Sequence, residues 1–139
     1  YMPSAQDRLR FYQELVGATN TKDVEDIKKR IMDQFGVIDK SIENLFLVAR
    51  IRLALSPAPI KKCVIKEGVV RFVVKKNINI KLNSLMKRLE LFSNKNKHKH
   101  RFDGGVGGET NIVLENIKDA NLLKTISGFA GLFSGVLID

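Results

Sequence analysis

Ile60-Lys61-Lys62-Cys63-Val64-Ile65-Lys66-Glu67-Gly68-Val69-Val70-Arg71-Phe72-Val73-Val74-Lys75 is the stretch on which the fold turns. Cys63, Val64 and Ile65, then Val69, Val70, Phe72, Val73 and Val74, are residues that suit a pleated, half-buried surface. Two such runs around Lys66-Glu67-Gly68 predict a β-hairpin, with Lys61, Lys62, Arg71, Lys75 and Lys76 on its wet side or at its ends. Upstream of Pro57 the apolar residues repeat at three and four instead of two. The expected fold class is therefore α+β: three N-terminal helices packed on a small, mostly antiparallel sheet of about four strands, plus two further helices.

The three upstream helices carry their own boundary signals. Ser4, with Asp7 three residues on, predicts the start of the first, whose stripe is Leu9, Tyr12 and Val16, widened by Phe11 and Leu15 and ended by Gly17. Thr21 is the expected cap of the second. Asp23, Glu25 and Asp26 precede Lys28, Lys29 and Arg30 along it, an order that opposes the helix dipole. Val24, Ile27, Ile31 and Phe35 form its apolar face, and Gly36 suits a left-handed cap. Asp39 caps the third, with stripe Ile42, Leu45, Phe46, Ala49 and Leu53, and Pro57 and Pro59 end it.

Downstream of the hairpin, Ile80, Leu82, Leu85, Met86, Leu89 and Phe92 predict a helix over about 80–93, with Asn79 as its cap. Lys97-His98-Lys99-His100-Arg101-Phe102 is the most basic run and is expected on an edge strand kept from aggregating by its charge. Two histidines at i, i+2 on a strand share a face, yet no third metal ligand accompanies them. Gly104-Gly105-Val106-Gly107-Gly108 lacks the Gly-Lys-Ser/Thr ending of a phosphate loop and precedes a strand, Asn111 to Glu115. It is expected to be a flexible connection between two strands. A last helix is expected over about Asp119–Ile138, apolar at Leu122, Leu123, Ile126, Phe129, Ala130, Phe133, Val136 and Leu137, with Gly131 and Gly135 in small-xxx-small spacing. Lys124, Thr125, Ser127 and Ser134 on its other face favour a packed helix over a membrane span.

The chain of 139 residues, 44% hydrophobic and 28% charged, has the composition of one globular domain, with subregions 1–56 and 57–139. It opens on Tyr1-Met2-Pro3 without a signal peptide, as expected of a piece of a larger protein. The single Cys63 forms no intrachain disulfide and is expected to be a small core residue in a reducing, cytoplasmic setting. The net charge of +9 is uneven: residues 1–39 hold 6 basic and 7 acidic groups, 40–101 hold 16 and 3, and 102–139 hold 2 and 5. A nucleophile with its base, a metal set or paired carboxylates are all missing from the pattern. Catalytic, cofactor and metal residues are therefore each expected to be none.

Arg8-Leu9-Arg10-Phe11-Tyr12, Ile31-Met32-Asp33-Gln34-Phe35-Gly36, Asn44-Leu45 and Ala49-Arg50-Ile51-Arg52 come in a distinctive order. The series resembles the C-terminal (TRCF) domain of bacterial transcription-repair coupling factors, also called Mfd, whose blocks run R-L-x-x-Y-x-x-L, E-L-x-D-R-F-G and N-L-L-x-x-A-R-L-R. The likeness covers residues 3 to about 56. Gln34 stands where the family has arginine, and Arg30 where it has glutamate.

The resemblance implies a parent that is an ATP-dependent DNA translocase, with ATP and Mg in its motor domains, acting on stalled RNA polymerase and duplex DNA in nucleotide excision repair. It implies a C-terminal regulatory role for this chain, masking the N-terminal UvrA-binding module of the same protein, and so an indirect link to UvrA. It also implies that Asp33 is an interdomain interface residue facing a basic patch; the plain alternative is a solvated carboxylate near a helix end. Two other roles remain open. One is a nucleic-acid-binding module built on the basic 40–101 segment, with Lys97, Lys99 and Arg101 as phosphate or acidic-partner contacts. The other is a structural lid with no specific partner.

Overall fold

A computed structural model describes residues 3–36, 38–104 and 106–138, with the side chains of Val106 and Ile138 outside the description. The chain divides into two compact units, Tyr1–Leu53 and Ala54–Asp139. Among the described residues there are five α-helices, a four-stranded antiparallel sheet and a two-residue strand pair. This is the α+β class that the change of periodicity at the hairpin predicts.

The first unit holds α1 (Ala5–Val16), α2 (Thr21–Phe35) and most of α3 (Lys40–Leu55). Ser4 and Asp7 form a reciprocal capping box, each side chain accepting from the other's backbone N–H. Asp39 accepts from the backbone N–H of Ile42 at 3.0 Å and caps α3. Asn20, one residue earlier than expected, caps α2 by accepting from the Asp23 N–H, and Thr21 is the first helical residue. Gly36 ends α2 with φ +78°, a left-handed position that disfavours any residue with a Cβ. The core joins Phe11, Leu15, Val24, Ile27, Ile31, Phe35, Ile42, Phe46 and Ala49, with Leu45 and Leu53 partly buried against it.

The face of α1 differs from expectation. Leu9, Tyr12 and Val16 are 57%, 48% and 49% exposed, whereas Phe11 and Leu15 are buried. Two apolar stripes lie on this helix and only one can face inward. Phe11 wins because it meets Phe35 edge-on, with centroids 5.8 Å apart, in the arrangement that aromatic quadrupoles prefer.

In the second unit β1 (Ile60–Lys66) and β2 (Val69–Val74) form the hairpin. Glu67 and Gly68 both have positive φ, as a type I′ two-residue turn, which matches strand twist, requires. The sheet order is β1-β2-β5-β4, with β4 (Lys99–Gly104) at an edge and β5 (Thr110–Glu115) inside. Cys63, Phe72, Ile112 and Phe102 form one row across it. On that face Phe72 stacks on Phe129 of α5 (Leu122–Gly131), with centroids 3.8 Å apart. The glycine-rich connection joins β4 to β5 as expected, although Gly105 itself lies outside the described residues.

Three boundaries shift. Helix α4 runs over Leu82–Asn96 and starts at Lys81 without a side-chain cap. Asn79 and Ile80, expected as cap and first turn, form β3 against β6 (Leu137–Ile138). That pairing also removes Leu137 and Ile138 from the expected final helix, and α5 stops at Gly131. The glycine of close approach is then neither Gly131 nor Gly135. It is Gly128, where an added Cβ would lie 2.7 Å from a ring carbon of Phe92.

Gly128→Ala is expected to destabilise the protein by about 1–3 kcal/mol through overpacking against Phe92. Gly131→Ala, with open space around it, is expected to be neutral or stabilising by up to about 1 kcal/mol. Urea denaturation of both variants checks the contrast in sign.

Candidate interaction surface

All eight arginines of the chain are engaged within the protein. Arg8 pairs with Asp39, Arg10 with Asp7, Arg30 with Glu14 and Arg50 with Glu25. Arg52 donates to the carbonyls of Leu15, Val16 and Ala18 at the end of α1, and Arg88 to those of Leu132 and Ser134. Arg71 and Arg101 share Asp103, and Arg101 also holds Glu115. Lysine behaves otherwise. Of sixteen, only Lys61 has an ion-pair partner among the described residues, Glu109 at 3.1 Å. The free positive charge of the 40–101 segment is therefore carried by lysine.

On α2 the opposite charge is free. Asp23 accepts from the Thr19 N–H and hydroxyl, and Glu25 is held by Arg50 at 2.6 Å. Asp26 and Asp33 are exposed and have no ion-pair partner among the described residues. Seven residues apart, they lie on one helical face about 10 Å from each other. Arg30 stands between them, but its guanidinium is 2.7 Å from Glu14 of α1. The residue that reverses charge in the motif is thus neutralised locally. Exposed Met32 adjoins Asp33, and a shallow hollow of about 400 Å³ between α1 and α2 is lined by Glu14, Asp23, Asp26 and Arg30 among others. The sequence motif points to Asp33 alone. The seven-residue spacing of Asp26 is legible in the chain, but its freedom from partners is not.

The basic run splits into separate environments. Lys97 ends α4 in a left-handed conformation with φ +58°, and Lys99 is exposed on the edge strand. Arg101 is occupied by Asp103 and Glu115. The edge placement of β4 agrees with expectation, but His98 precedes the strand. It is buried edge-on to Phe92 with both ring nitrogens unpartnered, while His100 Nδ1 bonds Ser93 Oγ at 2.9 Å. No group of three or more metal-ligating side chains occurs among the described residues. Cys63 is half-buried, not fully core, and burial pushes its thiol up to about 11, far from a reactive thiolate. No helix among the described residues is long and apolar enough to cross a membrane.

A family model described as the TRCF domain matches residues 1–85, more than half of the chain. The chain belongs to the TRCF domain family. Over 61 residues this TRCF domain is 39% identical to the transcription-repair-coupling factor of Buchnera aphidicola subsp. Acyrthosiphon pisum (strain APS), a stretch covering 44% of this chain and 8% of that protein. Over 81 residues it is 30% identical to the transcription-repair-coupling factor of Escherichia coli (strain K12), covering 57% of this chain and 7% of that protein. The match thus spans less than a tenth of either relative. The crystal structure of the C-terminal domain of a transcription-repair coupling factor superposes with a TM-score of 0.69 at 15% identity, over 96% of this chain and 86% of that one. That likeness establishes the fold.

Burial, then the nearby His100, lowers the His98 pKa from its ordinary 6.5. The unfolded chain then binds the proton more readily than the folded one, so stability is full above about pH 6.5 and falls as pH drops below it. The melting temperature is expected to fall between about pH 7.5 and about pH 5.5, and His98→Phe to flatten that slope. Calorimetric scans of both proteins across this range check it.

Proposed function

We propose that this TRCF domain is a regulatory interaction domain of a transcription-repair coupling factor and performs no bond-making chemistry itself. Its α2 face docks on a basic patch of the N-terminal UvrA-binding module of the same polypeptide. In the resting protein that contact covers the UvrA-binding surface, and it releases when the ATP-driven motor engages DNA at a stalled RNA polymerase. The protein would act in the cytoplasm, and the ATP and Mg would belong to the motor domains.

The observation that carries this reading is the pair of exposed carboxylates, Asp26 and Asp33, on one face of α2 with no ion-pair partner among the described residues. Although Lys29 and Arg30 lie between them, Arg30 is held by Glu14, and the two exposed carboxylates favour a partner of the opposite sign through faster, better oriented encounter more than through raw affinity. A weak contact suffices here. Tethering within one chain raises the effective concentration of the partner to the millimolar range, so a modest interface stays closed until something competes for it.

A nucleic-acid-binding role for the 40–101 segment is less well supported. Bidentate arginine is the commonest specific reader of guanine, and Arg50, Arg52, Arg71, Arg88 and Arg101 are all engaged elsewhere. Lysine alone would give salt-sensitive, sequence-independent binding.

In the full-length protein, Asp26→Lys combined with Asp33→Lys is expected to open the contact and raise UvrA affinity by about tenfold, equivalent to about 1.4 kcal/mol. Titration calorimetry with purified UvrA reads the change. Raised salt is expected to shift the unmodified protein in the same direction. Unchanged UvrA affinity in a correctly folded double variant would overturn the proposal.

A further inference from the structure

In the second unit, a hollow of about 420 Å³ lies among the end of β2, the segment leading to β3, the start of α4 and the β4–β5 hairpin. Its floor is apolar, made by buried Val74, Leu85 and Ile112. Its lip is apolar too: Ile78, Leu82 and Phe102 line it and are 39%, 55% and 37% exposed. Met86, one helical turn beyond Leu82, extends the lip along α4 and is also exposed. Exposed apolar side chains gathered at a concavity are a common mark of an interaction site.

The charge around this hollow selects the partner. No acidic side chain is among the described residues that line it. Lys75 and Lys76 line the hollow itself, and neither has an ion-pair partner among the described residues. A complementary surface must therefore bring carboxylates to the rim and apolar side chains to the floor. A second copy of this chain, with net charge +9, is a poor match. A nucleic acid would satisfy the lysines but leave Ile78, Leu82 and Met86 uncovered, and Phe102 is the only aromatic residue among the described lining that could stack.

We propose that this hollow is the docking site for an acidic, amphipathic peptide segment of a separate protein. Its apolar side chains fill the space over Val74, Leu85 and Ile112, and its carboxylates pair with Lys75 and Lys76. The site lies wholly in the second unit and uses neither Asp26 nor Asp33, so it stands or falls apart from the α2 contact.

The test is fluorescence anisotropy of the 139-residue protein with three labelled probes. The first is a short synthetic peptide alternating Asp-Glu with Leu-Phe pairs, the second the same peptide with serine for each Leu and Phe, the third an oligo-dT strand. The first is expected to bind tightest. Leu82→Glu, and separately Lys75→Glu combined with Lys76→Glu, are each expected to weaken it by about tenfold. Lys118→Glu combined with Lys124→Glu, an equal charge change on residues elsewhere, is expected to leave more affinity than either. All these substitutions are at solvent-accessible positions, and melting curves verify the folds. Amide shift mapping on the unsubstituted protein is expected to place the first probe at residues 74–82 and 107–112. No binding of the first probe, equal binding of the serine peptide, tighter binding of oligo-dT, or shifts confined elsewhere would each overturn the proposal.

Discussion

Arg52 reaches from α3 to three carbonyl oxygens at the end of α1, those of Leu15, Val16 and Ala18. The last carbonyls of a helix have no partner inside it, and a guanidinium fork can satisfy several at once. Arg88 does the same for Leu132 and Ser134 beyond α5. Across the outer face of the sheet, Arg71 and Arg101 stand either side of buried Val113 and are joined through Asp103. Arginine is thus the stapling residue of both units. Because it is used inward, the outward charge is left to lysine and to a few carboxylates.

The same division of labour orders the helical unit. With the end of α1 held by Arg52 and Phe11 seated on Phe35, α1 is fixed in rotation, and Leu9, Tyr12 and Val16 must face outward. On α2 the acids sort in a similar way. Asp23 is drawn into the cap and Glu25 into an ion pair, and the two that remain lie two turns apart. Exposed carboxylates and lysines without ion-pair partners among the described residues suit contacts with charged partners.

In the second unit apolar contacts add to these arginine staples. Phe72 lies flat on Phe129, and Gly128 lets α5 approach the Phe92 ring of α4. His98 sits against the same ring with no hydrogen-bond partner. Burying an imidazole this way favours its neutral form. The hollow beside the β4–β5 hairpin opens where the sheet row ending in Phe102 runs past the start of α4.

Local signals settled much of this protein. The Ser4–Asp7 box, the Asp39 cap, the αL Gly36, the Val24-Ile27-Ile31-Phe35 face and the Glu-Gly turn act over three to about a dozen residues, and the sequence by itself determined them. The α+β class came from the change of period at Pro57, and the family from three short blocks on the first three helices. Contacts between distant segments decided the rest. Which stripe of α1 is buried depends on Phe35, far along the chain on the next helix. Where α5 stops depends on Asn79 and Ile80 pairing with Leu137 and Ile138. Whether Asp26, Asp33 or Arg101 is free depends on which oppositely charged side chain folding brings within reach, and a charge carries no mark of its partner in the order of residues.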